Sequence, residues 1–168
     1  MTQFYAQPYD ISATGFYFET IEEYDARYAA CKNHYGESVE EFEIQFIDGE
    51  SIDAQLFKAL GIHRGDISSF IDAADSWDDE QKIHVIIAVG ECGYQFDISN
   101  DTPEQFDITL YEAQSMKELA EQFVDEGLYG EIPESLQYYI DYDAIARDLS
   151  IDYSHITIGN QHYIYHCA

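Results

Sequence analysis

Thirty-four Asp and Glu residues are set against seven Lys and Arg, a formal net charge of −27. Even if every base found an acid, 27 carboxylates would lack a cationic partner inside the chain. Self-repulsion of that size opposes compaction. The excess is not an acidic tail: residues 1–60 carry net −9, residues 61–103 net −7 and residues 104–168 net −11. It is interleaved with core-forming residues, since 46% of the chain is hydrophobic and 15% aromatic. Acidic disordered chains are poor in such residues, so a folded chain is expected, with its acids outside. An elongated body of small units spaces the charges, and 168 residues fit one ordinary domain or two to three very small ones.

The same imbalance excludes whole classes of partner. Gripping phosphates requires a basic footprint, so no direct nucleic-acid binding is expected. Docking on anionic lipid needs a polybasic patch that is missing here. The longest apolar run, residues 83–89, is broken by His84 and is far short of the roughly 20 residues of a membrane span. The opening MTQFYAQPYD has no basic region before an apolar stretch, so no secretion signal is expected. Cys31, Cys92 and Cys167 are odd in number and far apart. They match neither a disulfide framework nor a zinc-knuckle spacing, which makes a reducing cytoplasm the default.

Helices and strands are mixed without regular alternation. Residues 15–18 and 42–47 read as strands. Between them, Thr20 with Glu23 makes a capping box for a helix carrying Ile21, Tyr24, Tyr28, Cys31 and Tyr35, ending at Gly36. Asp48-Gly49 is a turn, and Ser51 caps a helix through Leu56 and Leu60 that Gly61 stops. Gly65-Asp66 opens a helix with Ile67, Phe70 and Ile71. Residues 82–89 are ambiguous: Ile and Val favour a buried strand, whereas Asp78-Asp79-Glu80 suits a helix first turn. Residues 100–103 form a loop. Residues 106–111 alternate as a strand, Ser115 with Glu118 is a second capping box for a helix to Gly127, and Asp141 caps a helix through Leu149. Residues 156–158 and 163–165 flank Gly159-Asn160 as a terminal hairpin. The class is α+β: small mixed and helical domains over 1–60 (α+β), 61–103 (mainly helical) and 104–168 (α+β), with a strongly acidic surface.

Catalytic signatures are scarce. Gly90-Glu91-Cys92-Gly93 lacks the third glycine and basic partner of a phosphate loop, and no Gly-x-Ser-x-Gly elbow occurs. His162 and His166, beside Cys167, read as surface or partly buried histidines rather than a metal pair. The acidic stretches 72–80 and 97–107 do not spell a calcium loop. Tyr138, Tyr139 and Tyr142, like Phe16, Tyr17 and Phe18, have no basic neighbours for base stacking, which favours core packing or a protein interface. No enzyme activity, cofactor or metal is expected.

The acids remain. A single Asp or Glu is usually a solvated side chain, but useful net charge for a small domain is about 2 to 8. Duplex DNA carries about one negative charge per 1.7 Å, so this excess corresponds to roughly 46 Å, or about 13 to 14 base pairs. Acids three or four apart on a helix lie about 5–6 Å apart at Cβ, a spacing that suits phosphate-like rows. Asp72, Asp75 and Asp79 make one such row, and Glu118, Glu121 and Asp125 another. Glu19, Glu22 and Glu23 cluster at the start of the first helix. The pattern points to imitation of nucleic acid.

One segment is more specific. Residues 127–149, GLYGEIPESLQYYIDYDAIARDL, resemble the most distinctive stretch of the ArdA-type antirestriction proteins. The resemblance rests on Gly130-Glu131-Ile132-Pro133, Leu136, Tyr139-Ile140-Asp141-Tyr142 and Ala146-Arg147-Asp148-Leu149, and extends less strictly over residues 106–168. It implies an inhibitor of type I restriction-modification enzymes, encoded on a mobile element. Such a protein has three small domains in an elongated subunit and forms a homodimer through its C-terminal part. It mimics the backbone of B-form DNA in the cleft of the methyltransferase core. The family's functional region maps onto Asp125, Glu126, Glu131, Glu134, Asp141, Asp143 and Asp148. The same resemblance turns residues 78–89 toward helix. Two other readings of the charge stand beside it: an acidic binding module or chaperone for another basic DNA-binding protein, and a halophilic host.

Overall fold

The computed structural model describes residues 1–168 and divides them into two compact units, Met1–Phe106 and Asp107–Ala168. Both mix helices with a small antiparallel sheet, so the α+β class holds.

The first unit is built on β1 (Gln3–Pro8), β2 (Phe16–Phe18) and β3 (Phe42–Asp48), in the order β2-β1-β3. Phe4 faces Phe18 on one side and Phe46 on the other, and Ala6 faces Phe16 and Ile44. Period-two alternation therefore puts Phe4, Ala6, Phe16, Phe18, Phe42 and Ile44 on one buried face. Gly15 permits β2 to approach β1, because a Cβ there would lie 2.3 Å from the Ala6 carbonyl oxygen. Phe4 stacks on Phe18 with centroids 5.3 Å apart and meets Phe70 edge-on at 6.0 Å, which continues the aromatic core into the helices.

Those helices are α1 (Ile21–Ala30), α2 (Ser51–Leu60), α3 (Ile67–Ser76) and α4 (Asp79–Val85). The Thr20 hydroxyl accepts from the Glu23 N–H at 3.2 Å, as a cap requires, while the Glu23 carboxylate accepts from the Glu19 N–H at 2.9 Å, one residue upstream of the cap. The helix stops at Ala30, short of the expected Gly36. Asn33 causes this: its side-chain oxygen accepts from the N–H groups of Tyr35 and Glu37, a local alternative to helical bonding. Glu50 rather than Ser51 occupies the N-cap of α2, without a side-chain bond. A short 3-10 turn, Arg64–Asp66, precedes α3.

Residues 79–91 are helical despite their β-branched content. Asp78 and Gln81 form a reciprocal cap, with the Asp78 carboxylate accepting at 2.9 Å and the Gln81 side chain accepting at 3.0 Å. The segment continues from α4 into a π-helical turn, Ile86–Glu91, whose Ile86, Ile87 and Ala88 are buried. Lys82 is buried as well, its Nζ 2.7 Å from Asp53 Oδ1 of α2 and donating to the Ala74 carbonyl at 2.7 Å.

The second unit carries β4 (Ile108–Glu112), β5 (Ser154–Ile158) and β6 (Gln161–Cys167) in the order β4-β6-β5, with α5 (Met116–Asp125) and α6 (Tyr142–Asp152) packed together. Leu119, Ala120 and Phe123 of α5 meet Leu149 of α6 and Ile164 of β6 in its core. The expected hairpin forms, with Ile158 opposite Gln161 across Gly159-Asn160.

Candidate functional site

The acidic side chains lie almost entirely outside these cores. Asp53 is the only carboxylate residue that is buried, and its charge is met by Lys82. Of the twelve acids singled out from the sequence, all but Glu118 are exposed, and Glu118 is half-buried.

Their elements differ. Asp72 and Asp75 stand three apart on α3. Asp79 does not continue their row, because α3 ends at Ser76 and Trp77 is extended, which places Asp79 in the first turn of α4. Glu118, Glu121 and Asp125 share α5. Glu118 is engaged at the helix start, where its carboxylate accepts from the Gln114 N–H at 2.6 Å and Ser115 Oγ accepts from the Glu118 N–H at 3.2 Å. Asp125 and Glu126 sit at the opposite end, where the helix dipole is already negative, an arrangement that disfavours helix stability and concentrates negative potential.

The 127–149 segment wraps from that helix end to α6. Asp125, Glu126 and Glu131, with Ile132, Ile140 and Tyr142, line a concavity of about 490 Å³. Glu134 opens a 3-10 turn, Glu134–Tyr139, and is exposed. Asp141 caps α6, its Oδ1 accepting from the Ala144 N–H at 3.0 Å. Asp143 lies 3.3 Å from Lys117 Nζ, a pair in which both side chains are solvated. Asp148 is exposed on α6. The side chains of Asp125, Glu126, Glu131, Glu134 and Asp148 are exposed, whereas those of Glu118, Asp141 and Asp143 are also structural.

Apolar side chains stand among these acids. Tyr138 is 94% and Tyr139 82% exposed, with Leu128, Tyr129 and Leu136 about half exposed, so the first two are not core, whereas Tyr142 packs against the core of the second unit. Phe16 and Phe18 are core, and Tyr17 between them is exposed. His162 Nδ1 lies 3.0 Å from Thr157 Oγ1 and 3.2 Å from His155 Nε2, while His166 packs against the Tyr153 ring, so the His162–His166 spacing does not bring those two rings to a shared partner. No helix is long and apolar enough to cross a membrane.

The structure is thus an α+β protein in which every carboxylate residue but Asp53 lies outside the cores. The family model for the antirestriction protein (ArdA) matches residues 3–164, nearly the whole chain. The chain belongs to the ArdA antirestriction family, a family of inhibitors rather than enzymes. A search of curated proteins returned no match.

Proposed function

We propose that this protein mimics the phosphate backbone of B-form DNA and occupies the DNA-binding cleft of type I restriction-modification enzymes, at the methyltransferase core. The observation that carries the reading is the exclusion of every carboxylate except Asp53 from the interior. Clefts that grip DNA hold Lys and Arg arranged for phosphates. A folded body with exposed carboxylates is steered to such a cleft by its long-range field, without the ordering cost of a disordered acidic tail. Carboxylates offer no base edges, so inhibition is independent of the enzyme's recognition sequence.

The strongest contributions come from Asp125, Glu126, Glu131, Glu134 and Asp148, with Asp72, Asp75, Asp79 and Glu121 adding to the field. An acidic surface, an organisation into 1–60, 61–103 and 104–168 along an elongated body, a cytoplasmic setting and carriage on a mobile element belong to the same proposal. So does a homodimer through the C-terminal part, which the exposed Leu128, Tyr129, Leu136, Tyr138 and Tyr139 support.

The test is displacement of labelled DNA from a type I methyltransferase core by the full-length protein at low and high salt. Displacement at low salt that weakens as salt rises supports the mimic. Absence of displacement by a folded sample overturns it, and preferential capture of an unrelated basic protein would point to an acidic chaperone.

A further inference from the structure

We propose that the loop pair formed by residues 9–12 and 33–37 is an apolar anchor, which seats in a recess within the basic cleft of the partner. This rests on the functional reading above and adds a contact that charge alone does not supply.

Two segments distant in sequence are joined at this end of the first unit. The Asn33 side-chain amide donates to Asp10 Oδ2 at 3.0 Å and to Glu37 Oε2 at 3.1 Å. The Ser12 hydroxyl accepts from the His34 N–H at 3.4 Å and donates to Asp10 Oδ1 at 2.7 Å. The Tyr9 N–H donates to the Glu41 carbonyl at 3.2 Å, and Lys32 Nζ to Ser38 Oγ at 2.6 Å, beside a Lys32–Ser38 backbone bridge. Gly36, with φ of +80°, closes the turn in a conformation that side chains disfavour.

This polar stitching fixes a tip that ends in apolar groups. Ile11 is fully exposed, Tyr35 80% and Tyr9 66% exposed. Side chains held on an ordered turn lose little freedom on binding, the property that lets a few aromatic and aliphatic residues dominate an interface. Glu37, Glu40 and Glu41 are exposed beside them. An apolar tip flanked by carboxylates complements a cationic surface that contains an apolar recess. Enzymes that modify a base extrude it into such a recess inside a basic cleft, so their cleft is the occupant to which the tip commits.

Charge and apolar contact separate by salt. A carboxylate contributes to the slope of affinity against salt concentration, whereas an apolar contact shifts affinity equally at every salt. The experiment measures binding of the full-length protein to a type I methyltransferase core at three salt concentrations. Ile11→Ser and Tyr35→Ser are each expected to weaken binding about tenfold or more with the slope unchanged, and Glu41→Gln to reduce the slope. Both Ser changes are at exposed positions, and unchanged circular dichroism verifies folding. Wild-type binding with both Ser variants within twofold of it overturns the anchor alone. Failure of the wild-type chain to bind overturns the functional reading and the anchor with it.

Discussion

Lys82 Nζ on α4 lies 2.7 Å from Asp53 Oδ1 on α2, and both side chains are buried. In a chain with so few bases, one of them is withdrawn from the surface to neutralise the single interior carboxylate. The pair fixes how α4 sits against α2, and the lysine's further bond to the Ala74 carbonyl ties in the last turns of α3.

Removing one partner strands the other charge. Asp53→Ala or Lys82→Ala is expected to cost about 3–5 kcal/mol, whereas the double change Asp53→Leu with Lys82→Met is expected to be close to neutral. Urea denaturation of the three variants checks this. Equal destabilisation by the double and single changes would contradict it.

Tyr24 offers the opposite sign. Its ring packs between Phe16 and Phe18, and its hydroxyl is buried without a hydrogen-bond partner. Burial raises the phenol above its ordinary value, with the nearby Arg64 guanidinium opposing, so the group stays protonated at neutral pH. A buried hydroxyl without a partner costs about 1–3 kcal/mol. Tyr24→Phe is therefore expected to raise stability by about 1 kcal/mol, measured as an increase in Tm.

Asp141 allows charge to be separated from structure. Asn ranks with Asp as an N-cap, so Asp141→Asn should retain stability within a few tenths of a kcal/mol, while Asp141→Ala should lose about 1 kcal/mol. Both remove the same negative charge. If the residue serves the partner, the two variants lose the same affinity in a DNA-displacement assay despite unequal urea midpoints.

Acid dependence follows from two loops. Asp97 is held below the usual carboxylate range by the Asn100 side chain and then the Ser99 N–H, and Asp10 by the Ser12 hydroxyl, the Ser12 N–H and then Asn33. A carboxyl whose folded pKa is depressed stabilises the fold above its unfolded value, about 3.9, and that contribution is lost as pH falls through the depressed folded value. Both loops should therefore persist from neutral pH down to about pH 4 and loosen below it. NMR titration of the two carboxyls, with amide exchange at Ser12 and Ser99, reads the effect. Ordinary titration midpoints for both would contradict it.

Local rules exposed much of this fold in advance. Thr20, Ser115 and Asp141 announce helix starts because a cap is a relation among three or four consecutive residues, and all three accept the expected N–H. Relations across the chain were not visible. β1 is the central strand of the first sheet, yet Tyr5 and Gln7 between Phe4, Ala6 and Pro8 look unremarkable until Phe18 and Phe46 arrive on either side. Asn33 ends α1 through bonds to residues beyond it, and the partner of Lys82 lies on another helix. The acidic candidates were legible as charge, but their division into free, capping and paired carboxylates needed the positions of Gln114, Ala144 and Lys117.

The exclusion of all carboxylates but Asp53 from the cores also bears on how such a protein diversifies. Apart from Asp53 and the helix-start acids, exterior carboxylates can be gained, lost or relocated without repacking Phe4, Phe70, Leu119 or Ile164. The charge pattern can therefore be redrawn one substitution at a time while the same scaffold is inherited.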